Sequence, residues 1–315
     1  MKSARHLIIS VFLLYAVPAW SATERVVILK ADGLPFQTVD EFVRKKDPYT
    51  GKSVLPWIEH VFYERGTRMS SFYNRGLSLS ASSWAMLDTG RPSVIKGNLE
   101  FDRLTLQHYD YLNVFTYFLR NTTGRKTETT GMRVLDEVRL PLLSDAYSPS
   151  ERHVGLQLFA RGLPLALGSL KRFLTLQNPK EWFDEWTIGM DGESLLVELL
   201  ERDLIVKLKD PRIRYVDFLI PTFDHAAHIK REPDALLHAL KKIDGIVQRV
   251  WIEIEKSPFP NNTALILVSD HGMNTSPGIY SQGYNLIDLF GSAAGGGHHV
   301  VTNRPPLGAY NLKPP

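Results

Sequence analysis

Arg25-Val26-Val27-Ile28-Leu29-Lys30 is a dense, β-branched apolar run stopped by Ala31-Asp32-Gly33 and Pro35. Such a run reads as a strand buried on both faces, the central position of a mostly parallel sheet. Tyr215 to Ile220 reads as a strand too, and Thr263 to Val268 as another buried strand, which ends in Ser269-Asp270-His271-Gly272. Between them, Asp234 to Glu255 sets Leu237, Leu240, Ile243, Ile246, Val247 and Val250 at helical spacing, which predicts a long amphipathic helix. Shorter helices are predicted over 193–208 and over 56–64, the latter with Trp57, Ile58, Val61 and Phe62 on one side. A further helix over 81–87 has serines near its start that can cap it and Gly90 to stop it. Helix, strand, helix, strand in this order predicts an α/β fold, a central mostly parallel sheet flanked by helices on both faces. Residues 100–190 carry the weakest pattern and are expected to form a smaller insertion that shapes a pocket. Within it, alternating aromatics from Tyr109 to Phe118 suggest a strand; Tyr109, Tyr111, Phe115 and Tyr117 either pack on the core or stack on a base.

The N-terminus changes the picture of where the chain works. Lys2 and Arg5 precede an apolar stretch from Leu7 to Val17, and Pro18-Ala19-Trp20-Ser21-Ala22 supplies small residues for cleavage. Residues 1–22 therefore read as a secretory signal peptide, which predicts a periplasmic or secreted protein. An uncleaved anchor is the alternative, although the apolar run is short for a membrane span. Residues 23–315 are left as a single domain. The formal charge of +3 includes Lys2 and Arg5, so the remainder is close to neutral and has no nucleic-acid-binding footprint. There is no cysteine, which excludes disulfides and thiolate metal sites. Any metal must be held by carboxylate, imidazole or hydroxyl groups.

Such groups stand at the ends of the predicted elements. Asp32 closes the first strand, though taken alone it reads as a turn or capping aspartate. Asp224 and His228 are four apart, so one helical turn brings both to a single ion. Asp270 and His271 are adjacent; their side chains should diverge and serve two neighbouring ions rather than chelate one. His298 and His299 follow Gly295-Gly296-Gly297, where the backbone can approach a site closely. Ser80 lies at a predicted helix start, where free N–H groups and the helix dipole favour a phosphoryl group. Open α/β sheets gather ligands outside the carboxyl ends of their strands, and Asp32, Asp224 and Asp270 all fall there. Their joint occurrence points to a pair of divalent ions beside a serine that a cation makes nucleophilic.

In this order the chain reads V-V-I-L-K-A-D-G (26–33), S-A-S-S-W-A-M-L-D-T-G-R-P-S-V-I-K-G-N (80–98), F-D-H-A-A-H (223–228), V-S-D-H-G-M (268–273) and G-G-G-H-H (295–299). These pieces resemble the alkaline phosphatase superfamily, in particular its nucleotide pyrophosphatase and type I phosphodiesterase branch. The resemblance implies an alkaline-phosphatase-like fold and hydrolysis of phosphodiester or nucleotide pyrophosphate bonds through a phosphoserine. It implies two divalent ions, zinc first, with manganese or iron as alternatives. Ser80 falls on the family nucleophile, and Asn98 resembles an asparagine that holds a phosphoryl oxygen. Asp32, Ser80, Asp270 and His271 fall on one metal; Asp224, His228 and one of His298 and His299 fall on the other. The implied partner is a small phosphoester, nucleotides included. A phosphomonoesterase or phosphonate hydrolase of the same superfamily, or a noncatalytic secreted binding protein retaining the fold, are the alternatives.

Overall fold

The computed structural model describes residues 22–92, 94–104, 106–112, 129–155, 158–159, 195–229, 232–274 and 286–299. The signal segment lies outside them except for Ala22. The chain falls into two compact units, Met1–Met273 and Asn274–Pro315. The first contains β1 (Arg25–Ala31), α1 (Phe36–Arg44) and α2 (Pro56–Ile58), which continues as a π-helix over Glu59–Glu64. Next come α3 (Ser80–Thr89), β2 (Leu99–Asp102), β3 (Gln107–Asp110), α4 (Thr130–Glu137) and β4 (Arg152–Val154). The unit ends with α5 (Leu195–Leu208), β5 (Tyr215–Ile220), α6 (Thr222–Ile229), α7 (Pro233–Lys256) and β6 (Thr263–Val268). In the second unit α8 covers Leu286–Gly291.

The main sheet has the order β4-β5-β1-β6, with every pairing parallel. β2 and β3 form a separate antiparallel pair. The apolar runs of β1 and β5 are explained by this order, since both strands are interior and almost wholly buried. β6 departs from the expectation of a buried strand. Among the described residues it is an edge strand, and most of its side chains are half-buried. The stretch 100–190 contributes β4 to the main sheet.

Strand alternation divides the core into two layers. Val27, Leu29 and Ala31 of β1 and Val216, Phe218 and Ile220 of β5 share one cluster with α1, α5, α6 and α7, through residues such as Val43, Leu204, Phe223 and Leu240. The opposite face meets α3 and α4, where Trp84, Met132 and Leu135 pack with Leu219 and Val268. Both faces are thus covered by helices, as the element order predicts. Each fully buried large apolar side chain contributes about 1.5–3 kcal/mol, so these two layers outweigh the surface ion pairs as the source of stability.

Three local findings refine the sequence reading. The buried stripe of α7 runs Leu236, Leu240, Ile243, Val247, Val250, Ile254, and Leu237 sits half-buried on its shoulder. Asp244, on the same stripe, accepts the N–H groups of Trp57 at 3.0 Å and Ile58 at 2.7 Å and so secures the start of α2. The serines do not cap α3: Ser80 is its first residue and Leu79 its N-cap, with no side-chain cap bond. Ser82 Oγ instead donates to Leu77 O at 2.8 Å, and the N–H of Ala81 donates to Asn98 Oδ1 at 2.9 Å. Gly90 ends α3 in the left-handed conformation with φ +65°.

Tyr111 is buried against the second cluster and its hydroxyl donates to Glu100 Oε2 at 3.2 Å, while Tyr109 packs against the same cluster. Core packing therefore accounts for both. Phe115 and Tyr117 lie outside the described residues. Among the described residues no helix is long and apolar enough to cross a membrane.

Candidate active site

Parallel pairing brings the carboxyl ends of β5, β1 and β6 side by side. The N–H of Asp32 still donates to Ile220 O at 3.0 Å, so Asp32 extends β1 just past the end of β5. Gly33 then turns with φ +64°, and its N–H donates to Asp270 Oδ1 at 3.2 Å. The N–H of Leu34 donates to Ser269 Oγ at 2.8 Å, and that hydroxyl donates to His271 O at 2.7 Å. These bonds latch the loop after β1 to the loop after β6. Asp224 approaches from the other side, in the first turn of α6. A Cβ on Gly33 would lie 2.6 Å from Asp224 Oδ1. Glycine is required there both for the turn and for the approach.

Four donor atoms converge at this edge. His271 Nε2 is 3.6 Å from Asp32 Oδ1, 3.4 Å from Asp270 Oδ2 and 3.2 Å from Ser80 Oγ. Ligand atoms of Asp32, Asp270 and His271 all lie within 4.8 Å of one another. The expected divergence of Asp270 and His271 is therefore corrected: both face one centre. The cause is a pair of bonds, one long-range and one local: Gly33 N–H holds the Asp270 carboxylate while His271 Nδ1 turns back to Gly272 O at 3.0 Å. A carbonyl only accepts, so Nδ1 carries the proton of the neutral ring and Nε2 presents its lone pair.

The donor set fits a divalent ion. Bonds of about 2.0–2.1 Å in a tetrahedral zinc site put ligand atoms roughly 3.3–3.4 Å apart, which matches the spacings around His271 Nε2. Asp32 Oδ1, Asp224 Oδ1 and Asp270 Oδ2 are buried with no hydrogen-bond partner. Carboxylates so placed are costly unless a positive charge faces them. Burial first, and then the nearby Asp270 and Asp224, holds the Asp32 pKa well above the usual carboxylate range, with His271 opposing. Burial likewise pushes Asp270 up to about 6, against the pull of the Gly33 N–H.

Asp224 and His228 face each other across one turn of α6, with 3.5 Å between Oδ1 and Nε2, as their spacing predicts. Asn98, just before β2, commits its carbonyl oxygen to the Ala81 N–H. Its side-chain NH2, a donor, is thereby fixed at the end of α3 that carries Ser80. His298 and His299 belong to the second unit. There Gly296 and Gly297 turn with φ +96° and +63°, and the His298 N–H donates to Phe290 O at 2.8 Å. The His298 ring meets Phe290 edge-on with centroids 6.4 Å apart.

One charged cluster behind the site was not anticipated. Lys30 is buried and pairs with Asp88 of α3 and, at 2.8 Å, with Asp217 of β5. Burial alone would lower the Lys30 pKa; Asp217 and Asp88 together outweigh it and raise it. A signal for this was present, since Lys30 and Asp217 are isolated charges inside otherwise apolar strands and demand partners.

A family model described as Type I phosphodiesterase / nucleotide pyrophosphatase matches residues 135–314, more than half of the chain. The chain belongs to this family. Metal-dependent hydrolysis of phosphodiester or pyrophosphate bonds in small phosphoester substrates is the activity that this membership carries, and the parallel sheet flanked by helices agrees with an alkaline-phosphatase-like fold. Asp224, His228, Asp270, His271, His298 and His299 lie inside the matched span, and Asp32, Ser80 and Asn98 precede it. The central place of β1, between β5 and β6, brings Asp32 beside Asp224, Asp270 and His271. No curated protein and no solved structure matches the chain.

Proposed function

We propose that this protein is an exported two-metal phosphodiesterase or nucleotide pyrophosphatase that works through a phosphoserine at Ser80. Asp32, Asp270 and His271 would hold one ion beside Ser80; Asp224 and His228 would help to hold the other. Imidazole and carboxylate donors favour zinc, and manganese or iron suits the same set. When bound, the ions supply positive charge that offsets the buried carboxylates, lowers the pKa of the Ser80 hydroxyl and screens the phosphoryl oxygens. The observation that carries the reading is the 3.2 Å separation of Ser80 Oγ from His271 Nε2, within the group formed with Asp32 and Asp270.

Ser80 Oγ gives up its proton to solvent and forms a bond to phosphorus as the bond to the leaving oxygen breaks; that oxygen departs with the electron pair, and the other ester arm stays on the phosphoserine. The Asn98 NH2 donates to a non-bridging oxygen and holds the group against the start of α3. Water then attacks phosphorus opposite Ser80, which leaves with its electron pair and regains a proton. Residues 1–22 direct the chain to the periplasm or outside the cell, with no stable membrane span after cleavage.

Metal analysis of protein purified without chelators should give two equivalents of divalent metal, and activity stripped by a chelator should return with zinc or manganese. Less than one equivalent, with no activity restored, contradicts the reading. With zinc present, bis-p-nitrophenyl phosphate and p-nitrophenyl thymidine monophosphate should be cleaved in preference to p-nitrophenyl phosphate. Preference for the monoester would make the protein a phosphomonoesterase. Silence on all three with metals bound would favour a noncatalytic binding protein.

A further inference from the structure

Lys30 belongs to no step described above, yet it ties the strand that carries Asp32 to the helix that carries Ser80. It stands on β1 two residues before Asp32, and its side chain lies on the sheet face covered by α3. Strand register places Asp217 opposite Ile28, so Lys30 and Asp217 are diagonal neighbours on one face. The ammonium bridges Asp217 at 2.8 Å and Asp88, which is two turns along α3 from Ser80. Tyr215 donates its hydroxyl to Asp217 Oδ2 at 2.9 Å, and Trp84 of α3 lies 5.5 Å from the ammonium. All of these groups are buried. The start of α3 is tied by the Ala81 N–H to Asn98 and by Ser83 to Asn74, and Trp84 packs with Leu219 and Val268 on the sheet face; apolar packing of that kind resists separation but tolerates sliding. The Lys30–Asp88 pair is directional and fixes where along the sheet α3 stops.

We propose that Lys30 and Asp88 are positioning residues for Ser80: their buried ion pair, anchored by Asp217, sets the register of α3 on β1 and so the distance from Ser80 to the Asp32–Asp270–His271 group. The proposal rests on Ser80 being the nucleophile. A displacement of about 1 Å at a reacting group can cost on the order of a hundredfold in rate, so the helix that carries Ser80 gains from a directional contact with the sheet at its far end.

Asp88→Leu is the informative change, because Lys30 keeps Asp217 and no charge is orphaned. It should lower kcat roughly ten- to a hundredfold with KM and bound metal unchanged, measured per folded molecule. Asp88→Asn retains an oxygen for the ammonium and should recover most of that loss. A merely structural role would lower the melting temperature and leave kcat per folded molecule at the wild-type value; that result overturns the proposal. If Asp88→Leu does not fold, Asp88→Glu keeps the charge and lengthens the tether by one methylene. Reduced kcat in folded Asp88→Glu supports the proposal, and wild-type kcat overturns it. Ser80→Ala, run alongside, separates the two claims. An inactive Ser80→Ala with a fully active Asp88→Leu overturns the positioning role alone, whereas an active Ser80→Ala removes the nucleophile and the positioning role with it.

Discussion

A single methyl group at Gly33 should disturb the site without replacing any ligand. Gly33 and Gly90 share the left-handed conformation, at φ +64° and +65°. Alanine at either position pays the same backbone cost, about 1–2 kcal/mol. At Gly90 nothing lies within 4 Å of the new Cβ, so the backbone cost is the whole effect. At Gly33 the Cβ would sit 2.6 Å from Asp224 Oδ1, 3.0 Å from its Cβ and 3.2 Å from its Cα. Rotating the carboxylate relieves the first contact but not the other two, so the start of α6 must retreat by tenths of an ångström. That separates Asp224 and His228 from the Asp32–Asp270–His271 group. Gly33→Ala should therefore lose most of one metal equivalent and about tenfold or more in kcat, while Gly90→Ala loses only stability. Elemental analysis, steady-state kinetics and thermal unfolding of the two variants make the comparison. Equal kcat and equal metal content in both would refute the reasoning.

Two stability predictions follow from buried charges. Arg25 is fully buried and donates to the carbonyls of Leu208, Ile213 and Asp210 at 2.7, 2.8 and 2.9 Å, with Phe259 4.7 Å away beneath it. Arg25→Met should cost about 3 kcal/mol or more in denaturant unfolding, since charge-assisted bonds contribute about 1.5–3 kcal/mol each, and a loss below 1 kcal/mol would contradict this. Burial raises Asp244 from 3.8 to about 6, opposed by the N–H groups of Ile58 and Trp57. A raised carboxylate pKa gives stability that is complete below the unfolded value and lost as pH rises through the folded one. Asp244→Asn should thus gain up to about 3 kcal/mol at pH 7.5 and nothing at pH 4; equal gains at both pH values would contradict the assignment.

Legibility tracked the range of the interactions. β1 and β5 stood out because strands buried on both faces carry unbroken apolar runs, and α7 because one buried face imposes the helical period. Asp32, Asp224 and Asp270 could be paired in advance because a parallel sheet sends consecutive strand ends to one edge. The convergence of Asp270 and His271 could not, because it depends on a bond from Gly33 across the sheet and on the ring turning to Gly272. The π-helix after α2 breaks the 3.6-residue pattern that predicted an ordinary helix. Asn98 joins Ala81 only through the fold, so its place at the end of α3 was invisible to local capping rules. Lys30 was overlooked because an isolated lysine in an apolar strand has partners that only the sheet register names.

The central claim is that Ser80 becomes covalently attached to phosphorus. Rapid quenching during turnover of bis-p-nitrophenyl phosphate, followed by peptide mass spectrometry, measures this directly. The account predicts a p-nitrophenyl phosphoryl adduct on Ser80, formed with a burst of one p-nitrophenol per active site, and loss of both adduct and turnover in Ser80→Ala with bound metal retained. Near wild-type turnover in Ser80→Ala, or an adduct on another residue, would contradict it.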